Sequence, residues 1–357
     1  ASLQMCFSDR FQLIETVGAG NFGIVSKALV RPSPVTGSHL TPNAVVAIKS
    51  IRQPFMSSDP NKLMLLAEVR FLRSIIPHLN IVRAHEIFLD LLSHKIHIVM
   101  EYLPITLLDL IKLQQKSSRR LPPTLVQGIL TQVARGLQHM HNNNFIHRDI
   151  KPENILLSTS RADFDPSSMC SILDDAYSAV PVVKISDFGE VRDSRSKAPF
   201  TSYISTRWYR APELLLKTGH YDTAIDIWAL GTLAIELACL YPLLPGRQEL
   251  EQLMLICNLL GSPDSTSSPG SVWPMAAVYA RRLGFFFASN SPGGDLYQVL
   301  LSSPSKQASE RAGREMSFTN LELASYRALA NWVSTCLLWD PACRATASEA
   351  LAHYYFS

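Results

Sequence analysis

Within one ten-residue stretch, Phe145-Ile146-His147-Arg148-Asp149-Ile150-Lys151-Pro152-Glu153-Asn154, the chain sets a carboxylate, two cations and an amide around a proline. Proline removes a backbone donor and breaks a helix, so this is a loop built to hold charges in fixed places. Phosphoryl transfer needs a carboxylate to orient a hydroxyl and accept its proton, and an oxygen ligand for magnesium nearby. Asp149 and Asn154 have that spacing, and Lys151 can offset charge developing on the transferred group. A second oxygen donor, Asp187 of Asp187-Phe188-Gly189, follows the apolar run Val182-Val183-Lys184-Ile185. A magnesium ion held there would bridge the β- and γ-phosphates.

The elements that must position these groups are legible from periodicity. Phe11 to Val17 reads as a strand running into Gly18-Ala19-Gly20-Asn21-Phe22-Gly23. A glycine pattern of this form also opens dinucleotide-binding turns, which require a helix next. Here Ile24 to Val30 is β-branched and alternating, which predicts a second strand. Strand, glycine turn and strand make a hairpin whose amides can approach phosphates, because glycine has no Cβ. Residues 31–44 form a proline-rich insertion with no chemistry of its own. Val45-Val46-Ala47-Ile48 then ends in Lys49, placed to reach phosphates if a carboxylate holds it. Lys62 to Ile76 reads as a helix with Leu65, Leu66, Val69 and Leu72 on one face, and Glu68 beside that face is the candidate partner. Ile96 to Met100 reads as a buried strand, left through Glu101-Tyr102-Leu103-Pro104. Pro123 to His141 is an amphipathic helix whose core stripe is Leu125, Ile129, Val133, Leu137 and Met140. His139, His141 and His147 are not read as a metal site, since no thiolate or carboxylate stands at ligand spacing. Residues 158–181 and 263–316 lack clear periodicity and read as insertions, the second a long, partly ordered excursion. Helices are expected over Ala328 to Leu338 and Ala345 to Ala352.

A chain of 357 residues, 47% hydrophobic and 18% charged, can bury a sizeable core in two domains or one bilobed one. A net charge of +3 with scattered basic residues gives no case for nucleic acid. Six cysteines without a C-x-x-C pair read as reduced thiols, which predicts an intracellular setting in cytoplasm or nucleus. No basic region followed by an apolar run opens the chain, and the most apolar stretch, Ile225 to Leu244, is interrupted by Asp226, Glu236 and Pro242. Neither a signal peptide nor a membrane span is expected.

The order of Gly18 to Gly23, Lys49, Glu68, His147 to Asn154, Asp187-Phe188-Gly189 and Ala211-Pro212-Glu213 resembles the eukaryotic protein kinases over almost the whole chain. The resemblance implies an α+β, bilobal fold: a small sheet lobe with one major helix over about residues 1–102, then a mostly helical lobe. It also implies ATP and Mg2+ as cofactors. Gly18 to Gly23 would cover the phosphates, Val25 would roof the adenine and Leu156 floor it, and Ala47 would join the nucleotide site. The backbone of Glu101 and Leu103 would bond the adenine edge, with Met100 as gatekeeper. Lys49 with Glu68 would hold the α- and β-phosphates. Thr201-Ser202-Tyr203 before Ser205-Thr206-Arg207-Trp208-Tyr209-Arg210-Ala211-Pro212-Glu213 resembles the group holding mitogen-activated, cyclin-dependent and MAK-like kinases. Thr201 and Tyr203 are then phosphorylation candidates, with Arg148 and Arg192 as phosphate partners. A third cation is missing at the usual helix position, where Leu65 stands; Lys62 is the nearest substitute. Thr206 would hydrogen-bond within the Asp149 and Lys151 cluster, and Arg210 would shape a pocket favouring proline after the phosphoacceptor. Asp226 would cap the catalytic loop, and Glu213 would pair with Arg344. One departure stands out: Glu190 follows Asp187-Phe188-Gly189, where the family carries an apolar or small residue. Ile87-Phe88-Leu89-Asp90, the His94 to Tyr102 segment and the insertions resemble the MAK/ICK-like branch, in particular the fungal meiosis-inducing kinases.

The reading that follows is a monomeric serine/threonine kinase, proline-directed, activated by an upstream kinase and acting on proteins. Two rivals were weighed. A pseudokinase scaffold should have lost a key residue, yet Lys49, Asp149, Asn154 and Asp187 are present. A dinucleotide enzyme should form a helix after Gly23.

Overall fold

In a computed structural model, residues 7–19, 23–32, 40–51, 67–90, 92–117, 120–158, 180–196, 206–263, 272–288, 293–302 and 318–357 are described. The chain divides into two units, Ala1–Pro104 and Ile105–Ser357, each with its own core.

The first unit is organised by strand alternation. A short helix, α1 (Phe7–Arg10), leads into β1 (Phe11–Ala19); β2 (Gly23–Val30), β3 (Val45–Ile51), α2 (Ala67–Ser74), β4 (Ala84–Asp90) and β5 (Lys95–Glu101) follow. The strands form an antiparallel sheet in the order β1-β2-β3-β5-β4. One face buries Phe11, Ala28, Val30, Val46, Ile48 and Val99, with Phe7, Leu40 and Phe88 packed over them. A second cluster joins Val69 of α2 to Ile96, Ile51, Ile87 and Leu89. The strand β2 begins at Gly23, so no helix follows the glycine turn and the dinucleotide-enzyme alternative is overturned. Glycine is required at position 23, where a Cβ would lie 2.4 Å from the Ser50 carbonyl oxygen on β3. Helix α2 stops two residues short of the expected Ile76, because Ile76 precedes Pro77 and a residue before proline avoids the helical region. Its expected first turns lie outside the described residues.

The second unit is mostly helical. In order come β6 (Ile105–Thr106), α3 (Leu107–Ser117), α4 (Pro123–Asn142), β7 (Phe145–Ile146), β8 (Ile155–Leu157), β9 (Val183–Ile185) and β10 (Arg192–Asp193). Then follow α5 (Pro212–Leu215), α6 (Ala224–Cys239), α7 (Glu249–Leu260), α8 (Pro274–Arg282), α9 (Leu296–Leu301), α10 (Asn320–Cys336) and α11 (Ala347–Ala352). Helix α6 is buried along its whole length, which is why its sequence is apolar on every side. The expected stripe of α4, Leu125 to Met140, is buried. Among the described residues no helix is long and apolar enough to cross a membrane.

Two boundaries differ from expectation for a local reason. Helix α10 starts at Asn320 rather than Ala328, because Thr319 and Glu322 form a capping box. Thr346 and Glu349 form another, which starts α11 at Ala347. The excursion at 263–316 contains α8, opened by Pro274, and α9, whose Asp295 accepts a bond from the Tyr297 N–H at 2.8 Å. Trp273, Ala276, Ala280 and Leu300 are buried, so this region contributes core.

Candidate active site

Each unit carries a cluster of candidate site charges. In the first, register does the positioning. Val25 pairs across the sheet with Lys49, and Ala47 pairs with Met100. Directly opposed residues share a face, and so do alternate residues along a strand, so Val25, Ala47, Lys49 and Met100 line one side of the sheet. The Lys49 Nζ donates to Glu68 Oε1 at 2.7 Å, and both side chains are less than a tenth exposed. Such a pair persists only because each ion offsets the other's lost hydration. Glu101 uses its N–H on the Arg83 carbonyl at 3.1 Å, while its carboxylate accepts from the Arg83 N–H at 2.7 Å. Leu103 is buried and Gly18 is half-buried opposite Val25. Ala19 ends β1 exposed. Gly20, Asn21 and Phe22 lie outside the described residues.

In the second unit the loop after β7 holds the other cluster. Asp226, at the start of α6, accepts from the backbone N–H groups of His147 and Arg148, both at 2.8 Å, and bonds His141 at 2.9 Å. Burial alone would push this carboxyl up; the His141 hydrogen bond and the neighbouring charges outweigh it and hold it below the usual carboxylate range. Arg148 is thereby kept at φ 73, a left-handed conformation unusual outside glycine. The next residue, Asp149, points its carboxylate at three side chains. Its Oδ2 accepts from Lys151 Nζ at 2.7 Å and Asn154 Nδ2 at 3.0 Å. Its Oδ1 accepts from the Thr206 N–H at 3.1 Å and the Thr206 hydroxyl at 3.3 Å. Lys151 also donates to the Thr206 hydroxyl at 3.0 Å. A carboxylate surrounded by donors is held in one orientation, which is what a group that orients a hydroxyl requires.

Asn154 and Asp187 are brought together by strand pairing. Ile155 pairs with Ile185, and the Ser186 N–H and hydroxyl both donate to the Asn154 carbonyl, at 2.8 and 2.9 Å. Asp187, one residue beyond, is exposed and left-handed at φ 56. Phe188 is fully buried and meets the His147 ring edge-on at 5.7 Å, and His147 Nε2 bonds the Ser186 carbonyl at 3.0 Å. The bonds of the Asn154 side chain run through Nδ2 to Asp149, leaving its oxygen outside them. An amide oxygen and a carboxylate at neighbouring strand ends fit a magnesium ion, a hard cation that takes few protein oxygens and fills its shell with phosphate and water. Among the described residues no group of three or more His, Cys, Asp or Glu could hold a metal by itself. Leu156, half-buried on β8, pairs with Thr106 and Lys184.

The candidate regulatory residues divide. Thr201 and Tyr203 lie outside the described residues, as does Lys62. Arg192 lies on β10 and donates to the Ser196 carbonyl at 3.3 Å. Arg148 donates from Nε to the Glu190 carbonyl and from Nη1 to the Tyr221 hydroxyl at 2.7 Å, with Nη2 3.6 Å from the Glu190 carboxylate. Arg210 pairs with Glu249 of α7 at 3.1 Å. Glu213 and Arg344 form a bidentate pair with both contacts at 2.6 Å, nearly inaccessible to solvent.

Sequence reasoning missed several of these groups. Tyr209 donates to the buried Glu236 at 2.7 Å, and burial pushes the Glu236 carboxyl up to about 7. Gln132 of α4 bonds the Pro181 carbonyl and the Val183 N–H, at 2.8 and 2.9 Å, fixing the start of β9. A polar residue within an apolar helical stripe is the only signal that Glu236 offered.

A family model described as the protein kinase domain matches residues 11–356. The meiosis induction protein kinase of Saccharomyces cerevisiae is 32% identical over 98% of this chain and 55% of its own length. The sporulation protein kinase mde3 of Schizosaccharomyces pombe is 36% identical over 81% of this chain and 48% of its own. The serine/threonine-protein kinase MAK of Homo sapiens is 32% identical over 98% and 45%. The chain thus spans about half the length of the curated relatives it matches.

Proposed function

The chain belongs to the protein kinase domain family, within its MAK/ICK-like branch, and from that membership we propose that it transfers the γ-phosphoryl of ATP to serine or threonine hydroxyls of proteins. The observation that carries this reading is the Asp149 carboxylate, aimed by Lys151, Asn154 and Thr206. In the proposed reaction Asp149 orients the substrate hydroxyl and takes its proton as the oxygen attacks. Lys151 offsets negative charge on the group in transfer. Asn154 and Asp187 would hold magnesium, which when bound neutralises phosphate oxygens. Lys49, braced by Glu68, holds phosphates of the nucleotide. The backbone of Glu101 and Leu103 would bond its adenine edge beside Met100, Val25 and Ala47. Catalysis by such a site is placement plus electrostatics.

Three finer readings belong to the same proposal. Arg210, held by Glu249 at 3.1 Å, shapes a pocket that favours proline after the phosphoacceptor. Phosphates on Thr201 and Tyr203, placed by an upstream kinase, pair with Arg148 and Arg192 and raise the rate. The protein substrates carry Ser-Pro or Thr-Pro sites. The test is incubation with Mg-ATP and a Ser-Pro or Thr-Pro peptide, before and after activation. Incorporation of phosphate into the peptide is expected, with a lower rate when Thr201→Ala and Tyr203→Phe are combined. No incorporation in either state overturns the assignment.

A further inference from the structure

Glu190, directly after Asp187-Phe188-Gly189, departs from the family pattern, and its surroundings give it a task. In β10 and β7, Arg192 pairs with Ile146 and Asp193 with Phe145 in antiparallel register. Continuing that register by two residues sets position 190 opposite position 148, so their side chains are cross-strand neighbours. The contacts agree. The Arg148 guanidinium donates to the Glu190 carbonyl, and its Nη2 stands 3.6 Å from the Glu190 carboxylate. The Arg148 side chain is 11% exposed and that of Glu190 25%, so the pair is shielded from bulk water. The guanidinium also donates to the Tyr221 hydroxyl at 2.7 Å. A neutral residue at 190 would remove the carboxylate that stands 3.6 Å from this cation.

We propose that Glu190 is a positioning residue: an anion built into the chain that holds Arg148, and through it the catalytic loop, without a phosphate on the activation segment. The inference rests on the reading of Arg148 as a phosphate-pairing residue. Arg148 directly precedes Asp149, and its backbone is fixed by Asp226, so a tethered guanidinium steadies the carboxylate that orients the substrate. A phosphate on Thr201 or Tyr203 then adds to a loop already held, and the unphosphorylated protein keeps a substantial share of its rate. The charges facing Glu190 are Arg148, which lowers its pKa, Asp149 and Asp187, which raise it, and Lys151, which lowers it. Burial is the largest influence, and the net effect leaves the carboxyl above its ordinary range. It therefore protonates earlier than a free glutamate as the pH falls, and the hold on Arg148 weakens with it.

The experiment uses the whole chain, dephosphorylated and checked by intact mass, with peptide phosphorylation as readout. Glu190→Gln keeps the shape and removes the charge. It is expected to lower kcat of the unphosphorylated form by about fivefold, the scale of a part-shielded ion pair, with KM for ATP little changed. Glu190→Asp restores most of the rate. The acid limb of the wild-type pH profile flattens in Glu190→Gln. In an Arg148→Gln background Glu190→Gln costs nothing further. Wild-type kcat for Glu190→Gln, equal losses for Glu190→Asp and Glu190→Gln, or losses that simply add to those of Arg148→Gln would overturn the proposal. Unfolding temperatures of each variant separate a lost fold from a lost contact. Failure of the phosphoswitch itself is read independently, as an unchanged rate in the Thr201→Ala, Tyr203→Phe protein.

Discussion

The two charge clusters of the candidate site are built in opposite ways. Lys49 and Glu68 form an ion pair on regular elements, a strand and a helix, and bury almost completely. Asp149 sits on irregular backbone between left-handed Arg148 and a 3-10 turn at Pro152–Asn154, and its carboxylate has donors from Lys151, Asn154 and Thr206. In a pair, loss of one member removes the whole of that charge-to-charge contact. A network on a strained loop spreads its cost over several bonds but needs an outside brace, which Asp226 of α6 supplies. Rigid scaffold thus suits a charge that must stay put, and a braced loop suits a carboxylate that must meet a substrate.

Four changes break or sharpen that contrast. The largest effect is expected from Asp187→Asn, which removes the only carboxylate of the candidate metal pair. Magnesium-dependent transfer to peptide should fall to background, and retained activity counts against the metal role. Next is Arg344→Met, which leaves Glu213 buried without its bidentate partner. Unfolding free energy should drop by about 4 kcal/mol, the cost of an uncompensated buried charge. Glu68→Gln removes the carboxylate charge that Lys49 meets at 2.7 Å, at a slightly more exposed site. A loss of about 3 kcal/mol in denaturant unfolding is expected, together with weaker ATP binding, whereas Thr206→Ala, which removes one donor of the network, should cost about 1 kcal/mol. If the two substitutions cost the same, pair and network do not differ as described.

A fifth change reads out as a pH slope rather than a single loss. Burial raises the Glu236 carboxyl from its ordinary 4.5 to about 7. The folded state then holds a proton that the unfolded chain has released between those values. Stability from this group is full below about pH 4.5 and is lost as the pH rises toward 7. Glu236→Gln should flatten that slope, worth on the order of 2 kcal/mol, in urea titrations across the same window. An unchanged slope means that Glu236 is ordinary.

The contrast also explains which parts were legible in the sequence. Lys49, Asp149, Asn154 and Asp187 stand out because their chemistry demands particular residue types at fixed spacing. The strands of the first unit show as alternation, and α4 and α6 as apolar patterns. What could not be read depends on pairing between distant segments. The opposition of Glu190 and Arg148 follows from a two-residue bridge, β7 with β10, too short to leave a pattern. Tyr221 reaches Arg148 from the turn before α6. Helices α8 and α9 hide in a stretch rich in serine, glycine and proline because each is short and set by its first residue, Pro274 or the Asp295 cap. The start of α10 was within reach, since Thr319 and Glu322 are spaced as a capping box.

The direct test of the central claim is single-turnover transfer from Mg-ATP to a Ser-Pro peptide by Asp149→Asn, with nucleotide affinity measured in parallel. Loss of the orienting carboxylate should slow transfer by about three orders of magnitude while ATP binds as in the unsubstituted protein. Transfer at the unsubstituted rate would contradict the account.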